Sequence, residues 1–228
     1  MPTKKTLLFG LILVFSFLFS ESQEQIYIDE LGDTISGSYF QNKLRNKELL
    51  LSCWDSLGKS KKRYSVLRKN LYMKGFYEFN IIKKEVEKIL SYKIQDSTDI
   101  IIEYYYKDDM CSASRSNNWT RNKVNQRKRF LNPIKKSLNS KDIIFICLFE
   151  KGIKLKNNPK SEKEYFFVDE NDYFKKNIFI SSTLCGSLAA IKPNGEVFIR
   201  NGEFRADSFS QYLKPKNWAQ LFPTTKKD

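Results

Sequence analysis

The sequence predicts a protein of mixed helices and strands, α+β or α/β, with a central sheet flanked by helices and a small N-terminal α+β lobe. A strand pattern at 100–106, a helical pattern at 124–138 and a continuous apolar run at 142–149 follow one another. This order is that of a βαβ unit, in which the two strands are parallel and adjacent. Later in the chain, two short apolar runs flank Asn194 and Gly195, a strong hairpin signal.

Residues 1–23 have the pattern of a secretory signal peptide. Lys4 and Lys5 make a basic start, a mostly apolar run of 13 residues extends from Leu7 to Phe19, and small and polar residues follow. The apolar run is shorter than the about 20 residues that a spanning helix needs. We therefore predict a cleaved signal, a periplasmic or secreted mature chain, and no stable membrane span after cleavage. An uncleaved N-terminal anchor is the alternative.

Composition indicates a folded, basic protein. Of the 228 residues, 41% are hydrophobic and 14% are aromatic, which is enough for a packed core. Lysine and arginine number 40 against 26 acidic residues, for a net charge of +14. Such a charge favours weak binding to polyanions. Because the lysines are spread along the chain, a solvated basic surface is the simpler interpretation.

Residues 24–95 are predicted to form the N-terminal lobe. Ser36 or Ser38 is the expected N-cap of its first helix, and Asn80 of its second, which carries an apolar stripe. The predicted elements, in order, are a hairpin over 25–35, a helix over 39–45, strands at 49–54 and 63–67, and a helix over 81–90.

Residues 96–228 are predicted to form the larger domain. The run at 142–149 is apolar throughout, as a strand buried on both faces requires. Pro133 lies inside a helical pattern and is expected to kink that helix. The predicted elements, in order, are a strand at 100–106, a helix at 124–138, a strand at 142–149, a helix at 171–179, strands at 188–191 and 196–199, and a helix at 206–213.

The chain has no histidine and four cysteines. The lack of histidine excludes a Ser-His-Asp triad, a Cys-His nucleophile pair and a His-ligated zinc site. No two cysteines have C-x-x-C spacing, so the sequence indicates neither a zinc ribbon nor any other cofactor. Cys111 and Cys185 both lie at strand ends. If the fold brings them together, the pair is either a disulfide staple or a redox site.

The two remaining cysteines lie within strand patterns. Cys147 is surrounded by Ile, Leu and Phe, which predicts a buried and inert thiol. Cys53 lies beside Trp54 and is also expected in a core. If the lobes pack closely, Cys53 and Cys147 are an alternative disulfide pair.

The order of elements over 99–213, about 115 residues, resembles the thioredoxin-like fold. Cys111 lies where the first strand of a thioredoxin unit leads to its active-site helix, and Pro133 corresponds to the proline common in that helix. The segment 192–204 and the helix after it are similar to the final hairpin and helix. The chain is also similar to exported redoxin-like proteins of Bacteroidetes-type bacteria, in which a Cys-Gly-Ser precedes the hairpin.

The chain departs from the family at both cysteines. The family's Cys-x-x-Cys is Cys111-Ser112-Ala113-Ser114 here, and the family's Thr-Pro before the hairpin strand is Thr183-Leu184-Cys185. In the family these two loops face each other. The resemblance therefore implies that the Cα atoms of Cys111 and Cys185 lie within disulfide range, about 4.4–6.8 Å.

The predicted function is thiol–disulfide exchange in the cell envelope with a protein thiol or disulfide partner. Cys111 is the predicted nucleophile and Cys185 the resolving cysteine. Two alternatives stay open: a non-enzymatic envelope protein with a structural Cys111–Cys185 disulfide, and a basic polyanion-binding protein. An exposed Cys111 favours exchange, and a fully buried disulfide favours the structural role.

The residues around Cys111 in the sequence bear on its reactivity. Arg115 and Arg121 would lower the pKa of its thiol, whereas Asp108 and Asp109 would raise it. Asn118 and Trp119, in a polar stretch, are the predicted exposed contact residues near the site.

Overall fold

A computed structural model describes residues 24–58, 62–111, 117–161 and 163–223. The predicted signal at 1–23 lies outside these residues. Two main sheets are described, one of four strands and one of six, together with flanking helices. The predicted α+β class is confirmed. Within the described residues, no helix is long and apolar enough to cross a membrane.

The strands are β1 (Gln25–Ile28), β2 (Thr34–Ile35), β3 (Ser52–Leu57), β4 (Arg63–Arg68), β5 (Tyr72–Phe76), β6 (Asp99–Tyr105), β7 (Asn118–Trp119), β8 (Ile143–Phe149), β9 (Lys154–Leu155), β10 (Phe166–Val168), β11 (Ser187–Ile191) and β12 (Glu196–Asn201). The α-helices are α1 (Gly37–Arg45), α2 (Phe79–Leu90), α3 (Arg121–Asn139), α4 (Tyr173–Asn177), α5 (Ala206–Phe209) and α6 (Pro215–Leu221). Short 3-10 helices cover Lys47–Leu49 and Ser210–Leu213.

The smaller sheet has the strand order β2-β1-β4-β3. Strands β1 and β2 form the predicted hairpin, and β1 pairs in parallel with β4. Ser36 caps α1 as predicted, because its side chain accepts a hydrogen bond from the backbone of Tyr39. Helix α1 buries Phe40 against Leu51 and Leu67, which makes a small core of its own.

The larger sheet has the strand order β10-β8-β6-β11-β12-β5. Strands β6 and β8 are parallel neighbours joined through α3, so the predicted βαβ unit is confirmed. Strand β11 is antiparallel to β6 and forms the predicted hairpin with β12. A parallel βαβ unit, followed by an antiparallel hairpin and a helix, is the arrangement that the resemblance implies. The chain has a thioredoxin-like fold.

Strand β6 lies in the middle of this sheet and contributes to two cores. Its side chains alternate between faces, as in any extended strand. Ile100, Ile102 and Tyr104 pack on the face covered by α2 and α4. Ile101 and Tyr105 pack on the face covered by α3 and the C-terminal helices. Both faces are buried, so the strand is apolar almost throughout.

Two helix starts differ from the prediction. Helix α2 begins at Phe79, with Glu78 in the N-cap position and no side-chain cap, so Asn80 is not the cap. Helix α3 begins at Arg121 because the Thr120 side chain accepts a hydrogen bond from the backbone of Lys123. The described α3 continues through Pro133 as one helix, and a kink there stays a prediction.

Strand β5 and helix α6 were not predicted. Strand β5 contains Gly75 and pairs antiparallel with β12 at the edge of the larger sheet. Together with α2, it joins residues before 95 to this sheet. The predicted domain boundary at residue 95 stays a prediction. Helix α6 starts with Pro215, which fits the first turn of a helix because it needs no N–H partner there.

Candidate functional site

Cys111 and Cys185 form a disulfide. Their Cα atoms lie 5.1 Å apart although 74 positions separate them in the sequence. The distance falls in the predicted range, so the juxtaposition implied by the resemblance is confirmed. Cys111 is exposed and Cys185 is half-buried, so the bond lies at the protein surface.

The loop that carries Cys111 is held by side-chain contacts with its own far end. Asp108 has a left-handed backbone (φ 61°), and its N–H donates to the side-chain oxygen of Asn117 over 2.7 Å. The Asn117 amide group donates in return to the Asp108 carboxylate over 2.6 Å. Beyond Asn117, β7 pairs with β9. These contacts anchor both described ends of the loop.

The loop that carries Cys185 turns sharply into β11. Cys185 and Gly186 both have left-handed backbones, with φ of 66° and 80°. A Cβ at position 186 would lie 2.6 Å from the carbonyl oxygen of Tyr104, so only glycine fits there. The buried Thr183 hydroxyl donates to the Gly186 carbonyl over 2.9 Å and accepts from the N–H of Gly202 over 3.1 Å. The turn is therefore tied to the end of β12.

Asp109 connects the two cysteine loops. Its carboxylate oxygen Oδ1 accepts hydrogen bonds from the backbone N–H of Cys111 over 2.9 Å and from that of Cys185 over 3.3 Å. The residue is only 3% exposed. A buried carboxylate thus lies next to both halves of the disulfide.

The smaller sheet contacts the Cys185 loop from the other side. The N–H of Leu184 donates to the carbonyl oxygen of Cys53 in β3 over 2.9 Å. The Arg68 guanidinium in β4 donates to the carbonyl oxygen of Ser182 over 2.9 Å. These contacts place the N-terminal lobe directly against the site, which the sequence did not indicate.

A cavity of about 320 Å³ opens beside the disulfide and is lined by both of its cysteines. Helix α3 contributes Lys123 and Arg127 to its wall, and Trp119 forms part of its base. Asn118 is exposed, but the prediction is wrong for Trp119, which is 5% exposed because its ring packs against Tyr105 and Phe149. On α3, the exposed ring beside this cavity is that of Phe130, 45% exposed.

A second cavity of about 750 Å³ lies between the two sheets on the other side of Cys185. Cys185 and Glu203 line both cavities, so the half-buried end of the disulfide separates them. Cys53 and the exposed Arg45 and Lys47 also line the second cavity. Space is thus available on both sides of the bond.

Behind the first cavity, a polar cluster is buried in the core. Glu103 in β6 is 6% exposed and accepts hydrogen bonds from the Tyr105 hydroxyl and the Arg127 guanidinium, each over 2.5 Å. Arg127 also donates to the Tyr105 hydroxyl over 2.6 Å. The Glu103 charge is therefore compensated by a cation whose side chain reaches the cavity at the disulfide.

Cys53 and Cys147 are free thiols, so the alternative pairing of these two is wrong. Burial, with Asp55 and Asp109 adding to it, raises the pKa of Cys53 to about 11. Complete burial, with Glu103 adding to it, raises the pKa of Cys147 well above its ordinary value. Both thiols stay protonated near neutral pH and are poor nucleophiles.

The structure brings together some of the residues singled out by sequence and separates others. Asp109 touches the pair, whereas Asp108 contacts Asn117. Arg115 lies outside the described residues, and the cations at the cavity are Lys123 and Arg127. Glu103 was not predicted as a buried charge. Its signal was present, as a carboxylate within an otherwise apolar strand.

No protein-family model and no curated protein sequence match this chain. Three solved structures are similar to it. The exposed lipoprotein thioredoxin of Streptococcus pneumoniae is 11% identical, has a TM-score of 0.35, and the match covers 72% of this chain and 98% of that one. The thioredoxin domain of a Bacteroides vulgatus thiol-disulfide oxidoreductase is 8% identical, with a TM-score of 0.31 and coverage of 71% and 91%.

The third is a thioredoxin-family thiol:disulfide interchange protein of Chlorobium tepidum. It is 12% identical, with a TM-score of 0.31, and the match covers 72% of this chain and 92% of that one. The fold assignment of this chain rests on its strand order and strand directions.

Proposed function

We propose that the protein carries out thiol–disulfide exchange through Cys111 and Cys185. The observation that carries this proposal is the exposure of Cys111 in a disulfide that borders an open cavity. A disulfide is broken by a thiolate that approaches one of its sulfur atoms from outside. A purely structural bond gains nothing from such an approach, whereas an exchange site requires it.

The reaction runs in two balanced steps. In the reducing direction, the Cys111 thiolate attacks a partner disulfide, forms a mixed disulfide and releases one partner thiolate, which takes up a proton. The Cys185 thiolate then attacks Cys111, forms the bond that the structure contains and releases the second partner thiolate. Two electrons pass to the partner, and the partner is a protein disulfide or, in reverse, a dithiol.

The test is a redox titration of the mature protein in glutathione and dithiothreitol buffers, read by maleimide mass shift at the two cysteines. The proposal expects reduction of the folded protein with a potential above about −270 mV, the value of thioredoxin. A bond that resists reduction until the protein unfolds would leave the structural role as the function. Cys111→Ser and Cys185→Ser are expected to abolish exchange, and Cys53→Ser serves as the matched control.

Export belongs to the same proposal. The predicted signal at 1–23 would take the chain to the periplasm or out of the cell, where disulfides persist. Mass spectrometry of the protein recovered from the envelope fraction is expected to give a chain that begins near residue 24. Recovery of the full chain in the cytoplasm with both cysteines reduced would count against export. Binding to polyanions stays a prediction from the net charge, checked by salt-sensitive retention on heparin.

A further inference from the structure

Asp109 is the only charged group that the described contacts place in hydrogen bonds with both cysteines of the disulfide. We propose that Asp109 is the positioning residue of this site. Its carboxylate holds the backbones of Cys111 and Cys185 together when the bond is reduced, and its charge lowers the fraction of the two reduced thiols that is present as thiolate. The inference deepens the proposed function, on which its biological meaning rests, but the contacts and the measurements below do not depend on turnover.

The positioning role follows from the atoms involved. Both hydrogen bonds run from backbone N–H groups to one carboxylate oxygen, 2.9 Å from Cys111 and 3.3 Å from Cys185. Neither uses a sulfur atom, so reduction of the disulfide leaves donors and acceptor intact. Charge-assisted hydrogen bonds of this kind are stronger than neutral ones, and at 3% exposure water competes little with them. The two loops therefore have a second link besides the covalent bond.

The electrostatic role follows from what surrounds the bond. Lys123 and Arg127 face the cavity from α3 and favour a thiolate, whereas Glu203 faces it after β12 and disfavours one. Arg127 is paired with Glu103, and Glu203 is exposed to solvent. Asp109 is buried and hydrogen-bonded to both cysteine backbones, so solvent and salt screen its charge less than that of the exposed Glu203.

A neighbouring thiol supports the direction of this effect. Cys53 approaches the Cys185 loop from β3 through its contact with Leu184. The pKa of Cys53 is raised by burial first and then by the charges of Asp55 and Asp109. The field of Asp109 thus reaches a thiol with which it shares no described hydrogen bond. The same charge is hydrogen-bonded to the backbones of Cys111 and Cys185, so we expect it to act in the same sense on their reduced thiols.

Two variants separate the roles. Asp109→Asn keeps a side-chain oxygen that accepts both N–H groups and removes only the charge. Asp109→Ala removes the acceptor as well. Asp108→Asn is the matched control, since it makes the same change of net charge one position away, at a residue bonded to Asn117.

The first measurement is the pH dependence of iodoacetamide alkylation of reduced Cys111. We expect Asp109→Asn to increase the thiolate fraction at pH 7 about tenfold and the alkylation rate about threefold, since nucleophilicity falls as the pKa falls. Asp108→Asn and Glu203→Gln are each expected to change the alkylation rate by less than about half of the change expected for Asp109→Asn. An unchanged pKa in Asp109→Asn would overturn the electrostatic role.

The second measurement is the disulfide–dithiol equilibrium in dithiothreitol buffers at pH 6, well below the ordinary thiol pKa of about 8.5. We expect Asp109→Ala to shift it about tenfold toward the dithiol, which corresponds to about 30 mV, and Asp109→Asn to restore most of the wild-type value. An unchanged equilibrium in a folded Asp109→Ala protein would overturn the positioning role. If Asp109→Ala does not fold, the Asp109→Asn protein decides instead. A disulfide–dithiol equilibrium in Asp109→Asn that differs from that of the wild type would then overturn the positioning role.

Neither measurement uses a partner protein. If Asp109→Asn shifts the Cys111 pKa while the wild-type protein exchanges with no protein disulfide, the proposed function fails and the inference stands. If exchange occurs and neither variant changes the two measured quantities, the inference fails and the function stands.

Discussion

The four cysteines divide into two regions of the molecule with opposite chemistry. The loop cysteines, Cys111 and Cys185, lie where strands end, reach the surface and are bonded to each other. The strand cysteines, Cys53 and Cys147, lie within β3 and β8 and are free. Strands position side chains by packing and bury them, whereas loops at sheet edges can bring distant thiols together and leave them accessible.

The difference shows that the accessibility of a cysteine here depends on its place in the fold more than on its neighbours in the sequence. Cys147 has a carboxylate within 4.0 Å, since its sulfur contacts Glu103, and Cys111 has the carboxylate of Asp109 at its N–H. Both regions thus combine a thiol with a buried acid. Among the described residues, Cys147 is fully buried, whereas Cys111 borders a cavity.

Removal of the loop disulfide has the largest expected effect. The double variant C111A/C185A should lose about 4 kcal/mol of unfolding free energy, since the bond closes a loop of 74 positions. Urea unfolding with and without dithiothreitol measures this. The reduced wild type is the control and should unfold at nearly the same concentration as the variant. Equal stability of the oxidised and reduced protein would mean that the disulfide contributes no unfolding free energy. The loop cysteines would then not differ from the strand cysteines in their effect on the fold.

Arg127 connects the two regions, because it compensates Glu103 beside Cys147 and lines the cavity beside Cys111. Arg127→Ala should cost about 3 kcal/mol, since it leaves a buried carboxylate without its cation. Thermal and urea unfolding measure the loss. Lys123→Ala, at the same cavity, is the matched control and should change stability by less than about 0.5 kcal/mol. Equal effects would mean that the buried pair contributes no more than a surface charge.

Truncation of the strand cysteines should have smaller effects that follow their burial. Cys147→Ala removes a fully buried sulfur and should cost about 1 kcal/mol. Cys53→Ala removes a half-buried one and should cost about half as much. Neither should alter the disulfide–dithiol equilibrium of the loop pair. A shift of that equilibrium in Cys53→Ala would show that Cys53 affects the loop disulfide, and would contradict the division into loop and strand cysteines.

Alkylation of the strand cysteines tests the environment of their thiols. Because the pKa of Cys53 is raised to about 11, its thiolate is scarce at pH 8 and its alkylation rate should rise about tenfold per pH unit up to that value. Cys147 should react only when the protein unfolds. Alkylation read by mass spectrometry between pH 7 and 10 checks both. In urea, both thiols should titrate near their ordinary pKa of about 8.5.

Several elements were predictable from the sequence because their signals are local. The cap at Ser36, the Asn194-Gly195 turn and the apolar run of β8 each depend on a few neighbouring residues. Strand β5 was missed because Gly75 and Lys74 give it no strand pattern, and its place depends on pairing with β12. The Asn80 cap was wrong because the helix starts at Phe79, two residues before the apolar stripe that begins at Ile81.

The site was predictable only in part. Cys111 and Cys185 could be singled out because they lie at strand ends, and the resemblance implied their approach. The burial of Trp119 was not predictable, since its polar neighbours indicate a surface and the ring packs on Phe149 from another strand. The contact of Leu184 with Cys53 joins the turn before β11 to a strand of the smaller sheet and has no signal in either segment.

By itself, the sequence determined the types of element, the alternation that buries both faces of β6, and the chemistry that a chain without histidine can perform. These follow from side-chain size, polarity and short-range spacing. The tertiary structure alone decided that Asp109 bonds to both cysteine loops, that Arg127 compensates Glu103, and that the smaller sheet rests on the Cys185 loop. Such contacts join residues tens of positions apart, and their free energy exists only once the sheet has brought them together.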